Sequence, residues 1–186
     1  MMNINPMFAS MVATTDISVN NARLENYCYS QFIDKNGQSN WLDLTSTDLS
    51  EILLEVTTKL NWLHTELGFS DQYYQKIDKC WANINNSENT SHPHCHVGMF
   101  FNAIYYIKAE QDNSELVLLS PVPELDHVID KNTIKTFTPF NATGNFIKPH
   151  TGLLVIIPGW LKHYVKQDTS SIDRISIVFD SIMIKS

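Results

Sequence analysis

From about residue 75 onward the chain is a succession of short apolar, β-branched and aromatic runs, each closed by turn residues. The runs are "MFFNAIYYIKA", "ELVLLS", "IKTFTPF", "GLLVIIPGW", "HYVKQ" and "RISIVFDSIMI". Between them stand "NNSENTSHP", "EQDNS", "SPVPELD", "PFNATGN", "KPHTG" and "KQDTSS". Segments this short and this punctuated do not support long helices, and their spacing predicts a sandwich or barrel of strands.

The first 74 residues read differently. "NNARLENYCYSQFI" places Leu24, Tyr27 and Cys28 at helical spacing, with Ile33 near its end and "DKNG" as a stop. A second helix is predicted over "ILLEVTTKLNWLHTEL", with Asp48 and Glu51 as a capping box and Gly68 as its end. Leu53, Val56, Leu60, Leu63 and Leu67 form its apolar stripe, and His64 sits at the stripe's edge as a surface or boundary residue. No linker separates the parts, so residues 1–186 are expected to form a single domain: a helical lead-in (1–74) packed on a β-core (75–186).

Composition narrows the function. The net charge is −7 and the 13 basic residues form no cluster, which excludes a phosphate-tracking nucleic-acid surface. No apolar stretch is long enough to span a membrane as a helix, and "MMNINPMFASMV" lacks the basic start of a signal peptide. Three cysteines, Cys28, Cys80 and Cys95, make a disulfide framework improbable, and the expected location is cytoplasmic.

The chemistry concentrates in "SHPHCHVGMFFNAIYY", residues 91–106. If the strand runs through this segment, His94 and His96 project to one side and Cys95 to the other. Two imidazoles on one face are half of a metal site, and a distant strand can complete it. His163 is the candidate, because the Pro158-Gly159 turn would carry the chain back along the barrel wall. In "DRISIVF", Arg174, Ser176 and Val178 share one face, while Ile175, Ile177 and Phe179 share the other. The guanidinium fork of Arg174 suits a carboxylate, and Ser176 could add a hydroxyl to the same oxygens.

The ordered set H-x-H, "FFNAIYY", "PGWLKHYV" and "RISIVF" resembles a bacterial and phage group of 2-oxoglutarate/Fe(II)-dependent oxygenases, over roughly residues 77 to 180. The resemblance implies a double-stranded β-helix, or jelly-roll, core packed against the helices. It implies that His94, His96 and His163 are the metal ligands. It implies that Arg174 and Ser176 grip the far carboxylate of 2-oxoglutarate, joined by the hydroxyl of Tyr106 or Tyr105. Parity favours Tyr106; a bulge after Gly98 would favour Tyr105. The implied cofactors are Fe(II) and the co-substrate 2-oxoglutarate. The implied reaction is an oxidation, by default a hydroxylation, coupled to release of succinate and carbon dioxide. The substrate is a small molecule or a protein side chain, and a homodimer is open.

Two departures from the group's pattern stand out. His96 occupies a position usually held by a carboxylate, which leaves more positive charge on the iron. Asn102-Ala103 replaces a common Ser-Gly, a pocket-lining change expected to alter substrate fit. Other readings compete. A cupin-like metalloprotein would use no 2-oxoglutarate, but cupins usually carry a glutamate shortly after H-x-H and "VGMFFN" has none. A non-catalytic jelly-roll binding protein could hold zinc at the same histidines. Arg174 could instead form a structural ion pair with Asp180 or a loop carboxylate. His92 reads as a loop residue, His127 and His150 as solvent-facing, and Trp41, Trp81 and Trp160 as core. Asp126 and Asp130 beside His127 suggest at most a weak second metal site.

Overall fold

The computed structural model describes residues 9–85, 91–110, 113–167, 170 and 172–186. The turns expected at 86–90, 111–112 and 168–169 lie outside the described residues. The fold is mostly β, with antiparallel sheets and few helices. In chain order the elements are β1 (Ala13–Asp16), α1 (Asn21–Tyr29), β2 (Gln38–Trp41), α2 (Ser50–Glu66), β3 (Tyr73–Asn85), β4 (Phe101–Lys108), β5 (Leu116–Leu119), α3 (Leu125–Val128), β6 (Gly144–Ile147), β7 (Leu153–Pro158), β8 (His163–Val165) and β9 (Arg174–Lys185). The larger sheet has the order β1-β7-β4-β9-β3-β2 and the smaller one β6-β5-β8. No helix among the described residues is long and apolar enough to cross a membrane.

Strand β7, all but the last residue of β4 and the first eight residues of β9 are buried, because both faces of the large sheet are covered. Alternate side chains enter two separate cores. Ala103, Tyr105, Ile107, Leu154, Ile156, Ile175, Ile177 and Phe179 meet the helices, through Leu24, Cys28, Ile52, Val56 and Leu60. Ile104, Tyr106, Leu153, Val155, Ile157 and Val178 meet Leu116 and Leu118 of the small sheet. Each fully buried aliphatic chain contributes roughly 1.5–3 kcal/mol of transfer free energy.

Several expectations are corrected. The lead-in is not purely helical: β1 and β2 add the two edge strands, paired to β7 and β3. The buried stripe of α2 is Ile52, Val56, Leu60, Leu63 and His64, so Leu67 lies exposed and His64 is core. The ring of His64 is held by the Ser70 carbonyl and by Gln75. Asp48 and Glu51 do not cap α2. Asp48 takes Arg23 Nε at 2.7 Å, and Glu51 accepts from the backbone N–H of Asn20, the residue that caps α1. These two acids therefore tie the helices together. "IKTFTPF" forms no strand; Phe137 and Phe140 are exposed. Trp41 and Trp160 are also exposed rather than core.

Candidate active site

A cavity of about 740 Å³ lies over the face of β3, β4 and β9 that looks toward the small sheet. Pairing builds its floor. Tyr106 stands opposite Ser176, Ser176 opposite Asn83, Arg174 opposite Asn85, and Val178 opposite both Ile104 and Trp81. All of these line the cavity.

The histidines enter from one rim. His94 and His163 face each other in an antiparallel bridge, exchanging backbone hydrogen bonds of 3.0 and 2.9 Å. The His96 N–H donates to the Gly159 carbonyl at 2.7 Å, and a turn through Gly98 (φ 83°) then leads into β4. The H-x-H segment is thus a loop laid across the Pro158-Gly159 turn rather than the start of β4. That approach requires glycine: a Cβ on Gly159 would run into the carbonyl of Met99.

One nitrogen from each of His94, His96 and His163 lies within 4.8 Å of the other two. Closing on one ion at bond lengths of about 2.1 Å takes shifts under about 1 Å per ring. The outward nitrogens are all engaged. His94 Nδ1 meets the His92 carbonyl at 2.7 Å, His163 Nδ1 the Leu161 carbonyl at 2.9 Å, and His96 Nδ1 the carboxylate of Asp180 at 2.6 Å. With the proton on Nδ1 in these contacts, Nε2 keeps its lone pair for an ion. His163 is only 4% exposed, and burial pushes its imidazole down to about 4, so it stays neutral. The donor set therefore fits a divalent transition metal. Cys95 is not in the trio, and among the described residues no such cluster forms around His127. Asp126 reaches Lys131, and Asp130 caps a short 3-10 turn.

The other end of the cavity holds Arg174, 2% exposed, with Nη1 on the Ser114 carbonyl at 2.9 Å and Nη2 on Asn85 Oδ1 at 3.1 Å. Tyr106 is buried beside it. Burial raises its phenol, and the nearby guanidinium pulls it the other way. Tyr105 is on the opposite face and donates to Asn21 Oδ1 at 2.7 Å, so it cannot reach the cavity. Ala103 is likewise in the helix-side core, leaving Asn102 as the pocket-lining member of that pair.

Sequence reasoning missed the surroundings of His96. Trp81 stacks on its ring, centroids 5.6 Å apart and planes 16° from parallel. Asp180 accepts from Asn102 Nδ2 at 2.9 Å and has Lys79 Nζ 3.6 Å from its other oxygen. The ion pair of Arg174 with Asp180 weighed above does not form. The available signal was the period of two, since Asp180 follows Arg174, Ser176 and Val178 on one face.

Three clustered imidazoles that could hold a metal ion and a buried arginine line one cavity between two antiparallel sheets. The chain belongs to the 2-oxoglutarate/Fe(II) oxygenases: residues 79–180, over half of its length, match the family described as "Putative 2OG-Fe(II) oxygenase". Solved structures agree on the fold. A prolyl-4-hydroxylase from Pseudomonas putida superposes with a TM-score of 0.61 at 13% identity, covering 92% of each chain. HygX from Streptomyces hygroscopicus, with nickel, 2-oxoglutarate and hygromycin B bound, gives 0.63 at 9% identity, covering 93% of this chain and 83% of its own. The viral collagen prolyl hydroxylase of Paramecium Bursaria Chlorella virus-1 gives 0.57 at 13%, covering 91% and 94%. No curated protein is significantly similar in sequence.

Proposed function

We propose that His94, His96 and His163 hold Fe(II), that Arg174, Ser176 and Tyr106 bind the far carboxylate of 2-oxoglutarate, and that the enzyme hydroxylates a substrate admitted at the open rim. The observation that carries this is the cluster of ring nitrogens from His94, His96 and His163, within 4.8 Å of one another in the cavity that also holds Arg174. The two sheets are read as a double-stranded β-helix, and residues 1–186 as one domain acting in the cytoplasm. When bound, Fe(II) and 2-oxoglutarate supply the oxidation of a C–H bond by dioxygen, with release of succinate and carbon dioxide.

The chain's own residues do the rest. The Nδ1 contacts hold three rings at fixed angles, so the ion meets ligands already oriented. Arg174 offers a planar fork, and its buried setting strengthens any charge-assisted hydrogen bond to a carboxylate. Tyr106 can donate its O–H to the same group from the neighbouring strand. Trp81, Ile104 and Val178 wall off water between the two ends. Arg174 also favours this reading, because its guanidinium lines the same cavity as the three histidines. The related structures include a prolyl hydroxylase and an enzyme carrying hygromycin B, so side-chain and small-molecule substrates both suit the fold.

The test is succinate formation from 2-oxoglutarate by full-length protein with Fe(II) in air, even without substrate. Wild type should turn over slowly, and His94→Ala and His163→Ala should not. Iron binding with no 2-oxoglutarate dependence would instead support the cupin-like reading, and a tightly held, inexchangeable zinc the binding protein.

A further inference from the structure

We infer that Asp180 is a positioning residue that restores, through His96, the negative charge that a three-imidazole ligand set lacks. The inference rests on the ligand reading above. Three neutral imidazoles bring no charge to a divalent ion, whereas non-haem iron sites of this type ordinarily include one carboxylate. Asp180 is 1% exposed, and its Oδ1 lies 2.6 Å from His96 Nδ1, a short, charge-assisted contact. A carboxylate in that place makes the imidazole a more electron-rich ligand and fixes its ring.

The position is built by strand register. Asp180 stands directly opposite Asn102 on β4 and Lys79 on β3. Asn102 Nδ2 donates to the oxygen that His96 also uses, which gives the carboxylate a second anchor beside the imidazole. Lys79 approaches the other oxygen at 3.6 Å and lies over Trp41, 5.3 Å from the ring centroid. Lys79 therefore draws on the same negative charge as His96. The two cations, the lysine and the bound metal, compete for one carboxylate.

That competition gives a test with opposite signs. Affinity for Co(II) alone is measured by chelator competition on the full chain, with the visible spectrum of the bound Co(II) reporting its geometry. Asp180→Asn keeps the shape and removes the charge, and should weaken Co(II) binding about 10- to 100-fold. Lys79→Met leaves the carboxylate to His96 alone, and should tighten binding severalfold with the spectrum unchanged. A merely structural role for the Asp180 cluster would make both variants weaker. Asp180→Asn binding within twofold of wild type would overturn the inference. Lys79→Met binding as wild type or more weakly would also overturn it, and this variant decides the matter if Asp180→Asn fails to fold. His96→Ala keeps the two readings apart: wild-type Co(II) affinity in that variant would refute the ligand set itself rather than the role of Asp180.

Discussion

Acidification of the metal-free protein should destabilise it through His163. Its imidazole is buried at the start of β8 with Nδ1 on the Leu161 carbonyl, and burial lowers its folded-state value from 6.5 to about 4. The unfolded chain takes up this proton near pH 6.5, while the folded chain refuses it until about pH 4. Stability from this group is therefore fully present above 6.5, falls as the pH drops through that window, and is lost below about 4. At roughly 1.36 kcal/mol per pH unit, the gap between 6.5 and about 4 is worth about 3 kcal/mol. Such a loss is a large share of the ~5–15 kcal/mol that holds an ordinary domain together. Urea denaturation of metal-free wild type and His163→Asn at pH 7, 5.5 and 4 measures it. The variant starts less stable but should lose about 3 kcal/mol less than wild type between pH 7 and 4. Equal losses in the two proteins would refute the assignment of the buried neutral imidazole. The same depression serves binding: near pH 7 the neutral ring outnumbers the charged one by about a thousand to one, so a metal ion displaces no proton there.

Three further outcomes follow from the geometry. Arg174→Gln should weaken 2-oxoglutarate binding by at least about 30-fold, as expected for losing one partner of a buried charge pair at about 2 kcal/mol or more, while Co(II) affinity stays near wild type; titration calorimetry with the Co(II)-loaded protein reads both. Gly159→Ala should push the Met99 carbonyl away, destabilise the protein by about 1–3 kcal/mol in urea and weaken Co(II) binding, because the His96 loop hangs on Gly159. Leu60→Ala empties a fully buried position on the helix side of the sheet; it should cost about 2–5 kcal/mol in the same denaturation yet leave Co(II) affinity unchanged, since the three histidines line the cavity on the other face.

Periodicity made the faces legible. The alternation in "RISIVFD" separates Arg174, Ser176, Val178 and Asp180 from Ile175, Ile177 and Phe179, and the two sets do enter different environments. The same alternation distinguishes Tyr106 from Tyr105. The long, mostly apolar runs were legible as strands because burial on both faces selects apolar residues along most of their length. What escaped was short or polar, and it includes β3, at 13 residues the longest strand, whose apolar residues are broken up by Gln75, Lys76, Asp78, Lys79 and Asn83. β1, β2 and β6 are four residues each and carry little apolar signal; they are strands because a longer neighbour offers them hydrogen bonds. The capping-box pattern at Asp48 and Glu51 is satisfied by a different helix, which local sequence cannot reveal. His64 looked like a boundary residue because its Gln75 partner comes from β3, across a turn.

The surroundings of the histidine trio were illegible for a deeper reason. Parity says which face a side chain takes, but register across strands decides which residues become neighbours, and register is a long-range property. Asp180 meets Lys79 and Asn102 because three strands far apart in sequence are aligned at that row. The β3–β9 pairing shifts between Ile77 and Lys79, and the β4–β9 pairing between Tyr106 and Lys108, so neither alignment follows from counting back from a turn. A slip of one residue in β9 would turn Asp180 and Arg174 together into the helix-side core. One carboxylate and one guanidinium would then be buried among Leu24, Val56 and Leu60 without partners. Charged residues at both ends of the active face therefore help specify the register that makes that face a site.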